Sequence, residues 1–338
     1  MFGVETISSA LKSATHRVCQ SALRLPEFLR DKILEAKEYF RLIQKNLRDL
    51  YNTNTNLGLY HLQKGNLNDA IFRFWLVEKF VAPKDAKLHY WLGWCYFLKK
   101  NYDKASEHLR LSGAADEVGL KNFIDNYKDA TEVPEKIWAL YKDLTVGDQG
   151  SELLKCNSKI ADEFIKSLLS TIQELPPQCS FLDLGSYGGI IGTQLDYHVS
   201  RHHDITGIED DELLRLRMQE LQGDKGQIYD TIKDQPLRQF LDQNKKQYHI
   251  IMGLNALGFT SKLGLPFKQI WQMTKDDGYF AILLKKGAKT AWNNKANEFI
   301  YLPQDVEEQL KLARFDILDI KECKVDKSDE YIMFICKK

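Results

Sequence analysis

The sequence predicts an α/β protein in which an all-helical N-terminal part precedes a mainly parallel sheet. Two observations predict this fold class. Near the N-terminus, a helical pattern of small and large residues repeats at a spacing of 35 residues. In the second half, short apolar runs typical of strands alternate with helical patterns. Strands and helices that alternate along a chain favour right-handed crossovers and a parallel sheet covered on both faces.

The repeating helical pattern has two copies, at about residues 51–84 and 86–119. Gly58 corresponds to Gly93, and Ala70 to Ala105. Small residues at these places let two helices approach closely, and the large residues between them fill the groove. The pattern resembles the tetratricopeptide repeat, which implies a groove for a peptide or partner protein. The alternative is that the repeats serve only for packing.

Two copies bury little surface by themselves, so we expect flanking helices to cap them. The segments with suitable spacing are Asp31–Leu50 and Leu120–Ala130. The expected helical domain is therefore 1–145.

The remaining residues, 146–338, are expected to form a single sheet domain. The last two runs are joined by a short polar segment, which predicts an antiparallel hairpin at the end of the chain. The predicted strands are Phe181–Leu184, Asp204–Ile208, Gln227–Tyr229, His249–Leu254, Tyr279–Leu284, Phe315–Cys323 and Tyr331–Lys337.

Overall composition excludes several classes of protein. Basic and acidic residues both number 47, so there is no clear nucleic-acid surface. The six cysteines contain no pair at metal-ligand spacing and are typical of thiols in a reducing compartment. No apolar run reaches the length of a membrane helix. We expect a cytoplasmic protein, with an organelle-targeted or membrane-surface protein as the alternative, since residues 1–28 are weakly basic and amphipathic.

The run LDLGSYGGIIG, from Leu182 to Gly192, predicts a strand, a glycine turn and the start of a helix. Glycines in the first such turn let a ligand approach the backbone. Glu209 ends the next predicted strand, in the run ITGIED, and a carboxylate there accepts hydrogen bonds from both hydroxyls of a ribose. This spacing suits a dinucleotide or a methyl donor.

The second half resembles the class I S-adenosylmethionine-dependent methyltransferases, a Rossmann-like seven-stranded fold whose last strand inserts antiparallel. The whole chain resembles predicted bacterial methyltransferases with N-terminal tetratricopeptide repeats. The residues that carry the resemblance lie in order along residues 55–338 and read FLDLGSYGGIIGTQL, ITGIEDDELLRLRMQE, IYDTIKDQPLRQFL, YHIIMGLNALGF and MTKDDGYFAIL.

The resemblance implies S-adenosylmethionine as cofactor and assigns residues to each part of it. In the loop, Asp183, Gly185 and Gly189 would line the methionine end, beside Ser186 and Tyr187. Glu209 would bind the ribose with Asp210 close by. Asp234 and the backbone of Gln235 would face the adenine, and Asn255 would face the substrate.

Three residues depart from the family pattern. Tyr187 replaces the middle glycine of the loop, so it either covers the donor or obstructs it. His249 opens the fourth strand where an acid is common; that end lies far from the ligand, which indicates a structural role. Asn255 also stands in place of an acid. The leading hypothesis is a methyltransferase whose repeats recruit a substrate or partner.

Two other functions are open: an inactive methyltransferase-fold scaffold and, less well matched by the loop, a nicotinamide-dependent oxidoreductase. No motif identifies a catalytic base, an acceptor or an oligomeric state. No metal site is expected, because the pattern around His198, His202 and His203 indicates the end of a helix. Lys285 and Lys286 are expected to be solvated.

Overall fold

The computed structural model describes residues 27–146, 150–172, 174–199, 203–223, 226–324 and 330–338. Residues 1–26 of the amphipathic segment expected at 1–28 lie outside the described residues, and so does His202. The chain divides into two compact units that meet between Asp125 and Asn126. This division falls earlier than the boundary expected near residue 145, and the domain assignment stays a prediction.

The described part of the first unit is helical. Its helices are α1 (Glu27–Gln63), α2 (Leu67–Phe80), α3 (Ala86–Leu98), α4 (Tyr102–Ser112) and α5 (Leu120–Asn126). The predicted flanking helix is not separate from the first repeat helix, because both belong to α1. The apolar residues of its N-terminal half do not pack as expected. Leu42, Leu47 and Leu50 are 54%, 40% and 42% exposed.

Two glycines permit the close packing of consecutive helices in this unit. A Cβ on Gly58 would lie 2.5 Å from the Phe74 ring, and a Cβ on Gly93 would lie 2.5 Å from Leu109 Cγ. Phe74 and Leu109 are both buried. The same glycine-to-large-residue contact therefore joins α1 to α2 and α3 to α4. Whether the pairs are tetratricopeptide repeats stays a prediction.

The second unit is built on a seven-stranded sheet. Its strands are β1 (Ser180–Leu184), β2 (Asp204–Ile208), β5 (Thr231–Lys233), β6 (Tyr248–Leu254), β7 (Thr274–Lys285), β10 (Asp316–Lys324) and β11 (Glu330–Lys337). The order across the sheet is β10-β11-β7-β6-β1-β2-β5. Strands β5, β2, β1, β6 and β7 are mutually parallel, and β11 runs antiparallel to both β7 and β10.

The predicted mainly parallel sheet with an antiparallel last strand is thus confirmed, and it resembles the methyltransferase fold. All five residues of β1 are buried, which is the pattern of a parallel strand covered on both faces. The helices around the sheet are α6 (Glu135–Val146), α7 (Gly150–Ile172), α8 (Ile190–His198), α9 (Glu212–Glu220), α10 (Leu237–Gln243), α11 (Gly264–Met273) and α12 (Pro303–Leu312).

The third strand of the sheet was predicted wrongly. The expected strand Gln227–Tyr229 is not in the sheet; Gln227 belongs to a two-stranded ribbon of β3 (Gln222–Gly223) and β4 (Gly226–Gln227). The sheet strand begins at Thr231 and pairs with β2. Tyr229 is instead buried beneath the glycine loop, as described below. A second ribbon joins β8 (Ala291–Asn293) to β9 (Glu298–Ile300).

Across the helices that the structure describes, none has a long enough apolar stretch to cross a membrane.

Candidate functional site

The loop after β1 turns sharply at the carboxyl edge of the sheet. Four of its residues have positive φ angles, namely Gly185 (66°), Tyr187 (44°), Gly188 (70°) and Gly189 (87°). The backbone N–H of Ser186 donates to Ile208 O over 3.1 Å, which ties the loop to the end of β2. The predicted glycine turn is therefore present, with a tyrosine held in a conformation that favours glycine.

Asp183 lies beneath this loop with its side chain fully buried. Its Oδ2 accepts a hydrogen bond of 2.6 Å from the Tyr229 hydroxyl, whereas Oδ1 is buried without a hydrogen-bond partner. Burial raises the pKa of the Asp183 carboxyl to about 7, although the Tyr229 hydrogen bond opposes this. A buried acceptor without a partner is costly, and a donor group of a ligand would satisfy it.

Tyr229 links three parts of the loop region and was not predicted as a site residue. Besides donating to Asp183, its hydroxyl accepts the backbone N–H of Gly192 over 3.0 Å. A Cβ on Gly189 would run into the side chains of Leu221 and Tyr229. The glycine at 189 is thus explained by packing, and its contact with a ligand stays a prediction. No sequence motif marks Tyr229, since its contacts come from the fold.

Glu209 follows β2 directly and is 5% exposed. Its Oε1 accepts the backbone N–H of Asp211 over 3.1 Å. Burial raises the pKa of its carboxyl to about 7, while the charge of Lys142 lowers it. The side chain of Asp210 forms an ion pair with Lys142 of α6. Two acids thus stand at the ends of adjacent strands, Asp183 on β1 and Glu209 after β2.

Asp234 and Gln235 follow β5, the neighbour of β2. Arg215 joins the two strand ends, because its Nη1 lies 2.7 Å from Asp234 Oδ1 and donates to the Asp210 carbonyl over 2.8 Å. The Asp234 side chain is 67% exposed, and Gln235 is half-buried. The predicted adenine-facing residues therefore stand beside the predicted ribose-binding residues. Arg215 was missed by the sequence analysis.

The side chain of Tyr187 is partly buried and packs against the core beside the loop. Burial raises the pKa of its hydroxyl above the usual range, and the nearby carboxylates of Glu298 and Glu209 raise it further. The Tyr187 hydroxyl therefore stays protonated at neutral pH.

Asn255 follows β6 with a φ angle of 52°. Its Nδ2 donates to Glu298 Oε2, and its Oδ1 is buried without a hydrogen-bond partner. Glu298 also pairs with Lys285, whose Nζ lies 3.0 Å from Oε1, and both side chains are about 15% exposed. The expectation that Lys285 is solvated is wrong. The Lys285–Glu298 ion pair was missed because Glu298 lies on the β8–β9 ribbon, which has no sequence signature.

Helix α6 crosses this edge of the sheet. Lys142 contacts Asp210 after β2, while Trp138 packs on Phe259 after β6, with ring centroids 6.0 Å apart. Tyr141 lies close enough to Tyr187 to affect its pKa. One helix thus faces the loops that follow β1, β2 and β6. The sequence pattern of α6 predicts a helix but not this position.

Two of the histidines singled out in the sequence have structural contacts. His249 lies at the amino end of β6, away from the glycine loop, and its Nδ1 accepts the Ser180 N–H over 3.0 Å. His198 Nε2 lies 2.6 Å from Asp162 Oδ1, which joins α8 to α7.

Comparison with known proteins gives similarity in structure alone. No family model and no curated protein matches the sequence. Magnesium protoporphyrin IX methyltransferase from Synechocystis, crystallised with bound SAM, is 12% identical with a TM-score of 0.42; the match covers 54% of this chain and 80% of that one. A putative S-adenosylmethionine-dependent methyltransferase from Listeria monocytogenes is 14% identical with a TM-score of 0.39, over 53% and 99% of the two chains.

The cyclopropane synthase from Mycobacterium tuberculosis is 11% identical, with a TM-score of 0.41 over 52% of this chain and 84% of that one. Because these TM-scores are below 0.5, the fold assignment rests on the strand order and direction described above.

Proposed function

We propose that this protein is an S-adenosylmethionine-dependent methyltransferase whose acceptor is not yet identified. The observation that carries the proposal is the pair of buried acids, Asp183 and Glu209, at the ends of adjacent strands beside a loop of positive-φ glycines. A buried pair of carboxyls with pKa values raised to about 7 is costly to ionise. Such pairs are typical of functional sites.

The residues present fit the donor that the fold family implies. Asp183 Oδ1 is a buried acceptor without a partner, which suits the amino group at the methionine end. Gly185 and Gly188 hold the backbone in the left-handed region of a tight turn, where the absence of a Cβ lets a ligand approach the backbone. Glu209 would accept both ribose hydroxyls, and Asp234 with Gln235 would hold the adenine.

Bound S-adenosylmethionine would supply an electrophilic methyl group on a sulfonium. The chain then has to hold the acceptor in line with that methyl group, and such orientation carries much of the rate. Tyr187 lies within the glycine loop, and Asn255 follows β6, where its side chain donates a hydrogen bond to Glu298. We assign these residues to the acceptor side, with Tyr187 as a lid over the donor.

The substitution Glu209→Gln tests whether Glu209 belongs to the donor site. Glu209→Gln keeps the size of the side chain but removes the charge, so S-adenosylhomocysteine affinity should fall about 10- to 100-fold, the worth of one charged hydrogen-bond acceptor. The matched control is Glu212→Gln, which removes the same charge from an exposed position three residues away. Calorimetric titration measures both. Equal affinity in the two variants would remove Glu209 from the site.

We further propose that the helical unit recruits a protein or peptide. An exposed aromatic cluster on α2 supports this: Phe72, Trp75 and Phe80 are 51%, 40% and 66% exposed, and the Trp75 ring contacts both of the others. Trp75→Ala should lower methylation of an acceptor-containing cell extract about tenfold without changing donor affinity. Phe40→Ala, an exposed aromatic of α1 outside the cluster, is the control. Equal methylation by both variants would refute recruitment through this cluster.

A further inference from the structure

Three consecutive helices of the first unit bring potential metal ligands together. Glu78 lies on α2, His89 on α3 and His108 on α4. One ligand atom from each lies within 4.8 Å of the other two. Among the described residues, no other group of three His, Cys, Asp or Glu side chains converges in this way.

The two imidazoles have the separation that a shared ion requires. The Nδ1 atoms of His89 and His108 lie 3.1 Å apart. Zinc binds imidazole nitrogen at about 2.0–2.1 Å, so two such ligands of one tetrahedral ion stand about 3.3 Å apart. The rings lie at 30° to each other with centroids 5.4 Å apart. Both nitrogens thus face the same small space.

The backbone fixes the tautomer of His89. Its Nε2 lies 3.1 Å from the carbonyl oxygen of Pro83, and because a carbonyl only accepts, Nε2 carries the proton. The lone pair is therefore on Nδ1, which faces His108. A metal-binding histidine usually donates its other ring N–H to a carbonyl or carboxylate in this way. The side chain of His89 is 2% exposed, so the orientation is held by packing.

His108 is held in place by stacking. Its ring stacks on Tyr96 with centroids 5.3 Å apart and an interplanar angle of 10°. The Glu78 carboxylate adds a negative charge beside the two nitrogens.

We propose that Glu78, His89 and His108 bind one divalent transition-metal ion of the zinc class. Two imidazoles and a carboxylate suit Zn²⁺ and exclude a dedicated Ca²⁺ or Mg²⁺ site, because those ions prefer oxygen ligands. Three protein ligands leave a fourth position for water or a partner's side chain. The ion would join α2 to the α3–α4 pair, and thereby link the two glycine-packed helix pairs, which bury little surface without further repeats.

A hydrogen bond between the two rings is the alternative to a metal. In that case His108 Nδ1–H donates to His89 Nδ1, and Glu78 has no part in the contact. The two arrangements differ in what the full chain does when metal is added. They also differ in whether Glu78 matters.

The test is a calorimetric titration of the chelator-treated full chain with ZnCl₂. We expect one ion per chain and an unfolding midpoint that rises by about 5 °C at saturation. His108→Ala should weaken binding at least about 100-fold and Glu78→Gln about 10-fold. The control Glu107→Gln removes the same charge from an exposed neighbour on α4 and should bind as the unchanged chain does.

Far-UV circular dichroism shows whether each variant is folded. If His108→Ala fails to fold, Glu78→Gln still tests the site, because it alters only a half-buried side chain. Absence of zinc binding by the folded chain would overturn the proposal. So would binding that Glu78→Gln and Glu107→Gln weaken equally, since the ion would then be held elsewhere. Neither result bears on donor binding by the second unit.

Discussion

At the scale of single residues, Tyr187 combines two properties that oppose each other energetically. Its φ angle of 44° costs a residue with a Cβ about 1–2 kcal/mol. Its ring recovers part of this by packing on the core. Strain that is kept at a ligand loop indicates that the ring has a use there. We therefore favour Tyr187 as a lid over the donor and not as a chance replacement of glycine.

Two substitutions of Tyr187, to glycine and to alanine, separate the cost of its positive φ angle from the contribution of its ring to packing. Tyr187→Gly and Tyr187→Ala both remove the ring, but only alanine keeps the unfavourable φ angle. The glycine variant should therefore be more stable than the alanine variant by about 1 kcal/mol. Urea unfolding followed by circular dichroism measures the difference. Equal stability would mean that the loop relaxes and that Tyr187 is not strained in the native chain.

Asp183 and Glu209 also set a pH dependence at the residue scale. Burial raises both pKa values to about 7, so the free protein favours the protonated acids. Their contribution to stability is most favourable at low pH and is lost as the pH rises from about 4 to about 7. A ligand that donates hydrogen bonds to the carboxylates binds the ionised form. Its affinity should thus fall as the pH is lowered below about 7.

At the scale of elements, a glycine and its large partner define each helix pair of the first unit. The sequence spacing predicted this, because Gly58 and Gly93 recur 35 residues apart and the structure packs each against a large side chain. The merging of the cap into α1 was not predictable, since nothing in the pattern marks a break or its absence. The third strand was misassigned because Ile228 and Tyr229 are buried in the core and do not pair in the sheet.

A double-mutant cycle tests the packing of α3 on α4. Gly93→Ala alone should cost about 1–3 kcal/mol through overpacking, and Leu109→Ala alone about 2–5 kcal/mol through the cavity it leaves. The double variant should cost at least about 1 kcal/mol less than the sum, because the new methyl group fills the space that Leu109 vacates. Leu62→Ala, a buried residue of α1, replaces Leu109→Ala in the control cycle. Additivity in both cycles would contradict the contact.

At the scale of the whole molecule, the mainly parallel sheet and its antiparallel last strand were predictable, and the surroundings of the site were not. Glycines, a strand-ending acid and a C-terminal hairpin are local features, so the glycine turn after β1, the acid after β2 and the antiparallel β11 were predictable from the sequence. The contact of Lys142 with Asp210 and that of Glu298 with Asn255 arise only through long-range packing within the second unit. The convergence of Glu78, His89 and His108 arises in the same way within the first unit. The cytoplasmic location stays a prediction of the cysteine pattern.

The central claim is that the second unit binds a methyl donor. Its most direct test is calorimetric titration of the purified full chain with S-adenosylmethionine and S-adenosylhomocysteine at pH 8 and pH 6. The account predicts one site per chain with micromolar affinity at pH 8 and weaker binding at pH 6, where Glu209 is protonated. Absence of binding at both pH values, by folded protein shown to be free of copurified ligand, would contradict it. Tyr187 would then obstruct the loop, and an inactive scaffold would be the better description.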